Sequence, residues 1–130
     1  MIHNQKGNIM SNTNFGIVKT LNEDDFVNEF KAYNREDNFS LKGLRILFES
    51  LEQTAIDCGR SIEMDVIALC CEYDEDSIVN IIDLYDIDVT DCNSNDEKIE
   101  VVEDYLQYNT FFCGSYEDDE GVTHFIYLAF

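Results

Sequence analysis

The stretch Ile62-Glu63-Met64-Asp65-Val66-Ile67-Ala68-Leu69-Cys70-Cys71-Glu72-Tyr73 decides how this chain is expected to fold. Ile62, Met64, Val66, Ala68 and Cys70 alternate with Glu63, Asp65, Ile67, Leu69 and Cys71, and both sets become apolar in the middle. A strand covered on two faces has this pattern. Periodicity alone also fits a buried helix, but the acids at the start recur with period two and favour a central strand.

Upstream, Leu41, Leu44, Leu47, Phe48, Leu51, Ala55 and Cys58 fall on one helical face. Ser40 is placed to cap that helix, Phe39 to staple onto Leu44, and Gly59 to end it in the left-handed conformation. A shorter helix precedes it, with Asn22 as N-cap, Leu21 and Phe26 as a staple, and Phe26, Val27, Phe30 and Tyr33 at helical spacing. Phe15 to Thr20 reads as a short edge strand, and residues 1–13 as a loose leader.

Downstream, Asp74 to Ser77 read as the cap of a third helix carrying Ile78, Val79, Ile81, Ile82 and Tyr85. An acidic connection, Asp86 to Asn95, leads to the capping box Ser94-Asn95-Asp96-Glu97. It opens a fourth helix over Asp96 to Gln107, with Ile99, Val102, Tyr105 and Leu106 inward. Thr110 to Tyr116 and Val122 to Phe130 flank the turn Glu117-Asp118-Asp119-Glu120-Gly121 as a hairpin. The expected fold is α+β: about four helices on a small antiparallel sheet of three or four strands, one domain over residues 14–130.

Charge is the dominant compositional feature of the 130 residues. The chain holds 28 Asp and Glu against 8 Lys and Arg, a net of -20, yet at 45% hydrophobic it can still bury a core. Residues 1–60 carry 9 acids and 7 bases, whereas residues 61–130 carry 19 acids and Lys98 alone, a net of -18. Such a chain is repelled by a phosphate backbone and by anionic lipid, so direct nucleic-acid and membrane binding are not expected. The longest apolar run, Val66 to Cys71, is too short to span a bilayer, and no secretory pattern opens the sequence. Five cysteines without such a pattern read as reduced thiols in a cytoplasmic protein.

Candidate chemistry is sparse. Asp86 to Glu97 places oxygen ligands at positions one, three, five and twelve of a calcium loop, but Asp91 stands where the turn requires glycine, and Ser94 with Glu97 fits a helix cap better. Cys70 and Cys71 lack any CxxC spacing and read as small buried hydrophobes. His124 is the one plausible general base, without an evident nucleophile. Scattered glycines form no phosphate loop. Neither catalysis nor a cofactor is expected.

The negative charge remains. A 130-residue domain is about 36 Å across from its expected radius of gyration, and eighteen charges match about 31 Å of duplex DNA. The second half therefore carries charge at the density of a DNA turn. It would be steered onto a basic nucleic-acid-binding cleft and block it. The residues expected to make the contact are Asp74, Glu75, Asp76, Asp83, Asp86, Asp88 and Asp91, with the hairpin acids Glu117, Asp118, Asp119 and Glu120. Tyrosines interleaved with acids, Tyr73, Tyr85, Tyr105, Tyr108 and Tyr116, suit a protein interface instead or in addition, with the charge then serving solubility. Homodimerisation stays open.

The run Ile62 to Tyr73, following a helix that bears Leu44, Phe48 and Leu51, resembles small acidic proteins encoded by phages and other mobile elements. The likeness covers about residues 21 to 85 together with an apolar strand ending in Phe130. That resemblance implies a counter-defence role, such as inhibition of a restriction or CRISPR nuclease, and brings no catalytic residues with it.

Overall fold

The computed structural model describes residues 9–12, 18–20, 22–35, 37–59 and 62–130. Its contacts gather into two compact units, residues 1–71 and 72–130. The α+β class read from the sequence holds: among the described residues there are five helices and six strands in two three-stranded sheets.

In the first unit, helix α1 (Glu23–Ala32) begins in a capping box. The Asn22 side chain accepts from the Asp25 amide at 2.8 Å and Asp25 reaches back to the Asn22 amide. Leu21, the expected staple, lies outside the described residues. Helix α2 (Leu41–Cys58) starts at Ser40, whose hydroxyl accepts from the Gly43 amide at 2.9 Å, and ends at Gly59 with φ 67°. Phe26, Phe30, Phe39 and Phe48 make successive edge or tilted ring contacts of 5.2 to 5.8 Å. With Leu44, Leu47, Leu51 and Ala55 they form the buried seam between the two helices.

The sheet of this unit has the order β2-β1-β3. Strand β1 (Ile9–Asn12) pairs antiparallel with β2 (Val18–Thr20) and parallel with β3 (Ile62–Met64). Part of the expected leader is therefore a central strand, its backbone groups paired on both edges. Of the expected strand from Phe15 to Thr20, Val18–Thr20 is strand and residues 15–17 lie outside the described residues.

The decisive stretch resolves into three elements rather than one strand. β3 stops at Met64, and Asp65 then caps helix α3 (Val66–Glu72): its carboxylate accepts from the Ala68 amide at 3.0 Å and its carbonyl from Leu69 at 2.9 Å. Val66 and Leu69 are buried at helical spacing while Ile67 and Cys71 are exposed, so the apolar middle has one inward face, not two. The local N-cap wins because it satisfies amide donors that a lone extended segment would leave open.

The third strand of the second sheet is instead β4 (Tyr73–Ser77), whose three consecutive acids give no alternating apolar pattern. The order is β4-β6-β5, with β5 (Phe112–Glu117) and the central β6 (Thr123–Leu128) forming the expected hairpin. Phe125 and Tyr127 of β6 pack with Ile78 and Ile81 of α4 (Ile78–Tyr85), Ile87 of the following loop, and Val102 and Leu106 of α5 (Asn95–Asn109). Ser77 keeps its expected role as N-cap of α4 while also closing β4.

Leu106 is fully buried in this cluster. Leu106→Ala should destabilise the second unit by about 2–5 kcal/mol, read as a lower urea midpoint. Gly59→Ala, which forces a side chain into left-handed backbone with nothing crowding it, should cost the first unit only about 1–2 kcal/mol.

Candidate acidic interaction surface

The second unit concentrates the charge. Residues 72–130 carry 17 acids against Lys98, a net of -16. Thirteen of the 17 are exposed, four are intermediate and none is buried, so the carboxylates form the outer surface around the apolar cluster.

The structure brings some of the expected contact residues together and separates others. Residues opposite one another in an antiparallel pair project to the same face. Asp74 opposite Tyr127 and Asp76 opposite Phe125 therefore lie on the helix-covered face, and Glu75 opposite Ile126 lies on the other. Asp76 also binds the Asn80 side chain at 2.9 Å. The hairpin acids sit before the start of β6. Asp86 follows Tyr85, whose ring stacks on Phe130 at 4.6 Å beyond the other end of that strand. Six extended residues separate those ends by about 20 Å, so the eleven acids do not make one patch.

Asp88 and Asp91 do converge, with acids the sequence reading left out. They line an open groove of about 500 Å³ together with Cys92, Val101 and the α5 residues Glu97, Glu100 and Asp104. The spacing 97, 100, 104 puts three carboxylates on one helical face, rising by about 4.5 and 6 Å. That spacing is legible in the sequence, although Glu97 there fits position twelve of a calcium loop and a helix cap as well. Glu97 does cap locally, since Ser94 accepts from its amide at 3.2 Å and its own carboxylate accepts from the Asn93 amide.

The proposed calcium geometry does not form. Asp86 is the left-handed C-cap of α4, and Asp88 accepts from the Thr90 hydroxyl and amide, which holds its carboxyl below the usual range. Among the described residues no three His, Cys, Asp or Glu side chains converge so as to hold an ion. Cys70 is half-buried and Cys71 exposed on α3, so they are not the buried hydrophobes expected; burial still pushes the Cys70 thiol up, against the opposing pull of Arg35.

His124 has a structural partner. Its Nε2 lies 2.8 Å from Asp118, and its ring stacks on Tyr116 at 5.0 Å, whose hydroxyl donates to Glu75 at 2.6 Å. Asp118 also accepts from the Glu120 and Val122 amides at 2.9 Å, so it organises the turn. Among the described residues no helix is long and apolar enough to cross a membrane. Comparison with known proteins gives no matching family model, no matching curated relative and no matching solved structure.

Opposite pKa shifts give opposite pH responses. The hydrogen bond with His124, followed by those from the backbone, lowers the Asp118 pKa; its stabilisation is complete above the ordinary aspartate range and vanishes as pH falls through the depressed value. Burial, then the Asp76 charge, raises the Asp74 pKa, so its ionised form opposes folding and acidification relieves it first. In Asp118→Ala, the protection factors of the amides at residues 118–122 should fall at neutral pH and no longer drop further as pH falls through the aspartate range. Asp74→Asn should raise stability near pH 7 and change little near pH 3.

Proposed function

We propose that this protein is a non-enzymatic inhibitor that presents a DNA-like acidic surface to a basic nucleic-acid-binding protein. In line with the mobile-element resemblance, the target would be a defence nuclease or complex in the host cytoplasm. The observation that carries this reading is the segregation of charge: a 59-residue compact unit with one lysine and 17 solvent-facing acids. From its length that unit is about 27 Å across, and 27 Å of duplex carries about 16 charges. The two densities match.

The α5 column and the facing loop are the part most suited to such a contact. Carboxylates at rises of about 4.5 and 6 Å on a helix are held on rigid backbone, comparable with the 3.4 Å rise of phosphates along one DNA strand. A cleft built to neutralise phosphates would find these carboxylates exposed along one open groove. Like charges crowded together also mean that a basic partner relieves repulsion on arrival, which adds to the driving force.

The test is capture of proteins from a defence-competent host lysate at low and high salt, with duplex DNA as competitor. Capture should fall steeply with salt and be displaced by DNA, and the triple variant Glu97→Lys, Glu100→Lys, Asp104→Lys should weaken it by at least about tenfold. A partner retained equally at high salt by the triple variant would rule out charge mimicry.

A further inference from the structure

A second feature of the same unit is apolar. At the end where β6 and α5 both finish, Phe130 stacks on Tyr85 and lies 6.3 Å from Tyr105, yet remains 51% exposed. Tyr108, one turn beyond Tyr105, is 90% exposed, and Phe111, whose carbonyl accepts from the Leu128 amide, is 42% exposed. Tyr108 also continues the acidic column of α5, four residues after Asp104. Rings left open in this way cost hydration free energy that burial against a partner would recover.

We infer that this aromatic end is an arginine-docking surface: guanidinium groups of a partner protein lie flat on Phe130 and Tyr108 while neighbouring carboxylates take their N–H donors. The inference rests on the proposed basic partner and adds which cation it must bring. Charge chooses the occupant. A second copy of the chain would add another -16 from its own acidic unit to the same contact, and nucleic-acid bases would arrive with phosphates. An ammonium could satisfy the carboxylates alone. Only a planar, weakly hydrated cation uses both the ring faces and the acids Asp86 and Asp104, which adjoin in the chain the Tyr85 and Tyr105 rings against which Phe130 packs.

The experiment compares labelled deca-arginine and deca-lysine peptides, equal in charge, binding to the full chain at low and intermediate salt. Arginine should be preferred by about fivefold, and the preference should fall to near unity in Tyr108→Ala and in Phe130→Leu, with the salt dependence unchanged. Because Tyr108 touches little, its loss leaves the fold intact, and circular dichroism checks Phe130→Leu. Equal binding of the two peptides, or a preference that persists in both variants, overturns the docking surface while leaving the acidic reading standing. Binding of neither peptide at low salt removes the acidic reading and this inference together. A dimer by sedimentation that both variants dissociate assigns the surface to a second copy and overturns the arginine proposal.

Discussion

Strand β6 carries the constraint on which the second unit depends. Thr123–Leu128 holds no carboxylate and lies between β4 and β5, with Phe125, Ile126 and Tyr127 fully buried. Its neighbours bring Asp74, Glu75, Asp76 and Glu117 to the sheet, and helices α4 and α5 bring six more acids. A unit with a net of -16 closes because one strand free of carboxylates anchors the apolar sides of its neighbours while the acids stay in water. Tyr127 shows how tight that arrangement is: the residue is fully buried, and burial first, then Tyr85, Asp74 and Asp76, drive its pKa far above the ordinary tyrosine value.

The same constraint divides the acids by task. Asp76, Asp118 and Glu97 hold amides or side chains at the start of a helix or in a turn, where a carboxylate earns a structural role even on a crowded negative surface. Asp91, Glu100 and Asp104 line the groove beside α5. The proposed contact and the fold therefore draw on overlapping residues. Charge reversal on the groove wall leaves the turn intact, whereas reversal at Asp118 disturbs the hairpin before it reports on any partner.

Two kinds of surface meet on α5. Its acidic column and its exposed Tyr108 share one face, and Tyr105 links that face to Tyr85 and Phe130. Charge acts over a Debye length of about 8–10 Å and governs encounter. Aromatic contact acts only on touching and governs retention. Under the proposed reading, a surface with both would attract many basic partners but keep those that also present guanidinium groups.

The sequence by itself determined the elements whose start and stop chemistry is local. Asn22, Ser40, Gly59, Ser77 and Ser94 mark helix ends by hydrogen bonds within a few residues, and the hairpin turn is legible for the same reason. It also determined the charge of the second half, which composition alone dictates. Tertiary structure decided the rest. Tyr73–Ser77 could be a cap or a strand until β6 supplied a partner along it. Likewise, which acids gather depends on how the loop after α4 folds back along α5. Pairing across dozens of residues sets those outcomes, and no local pattern encodes it.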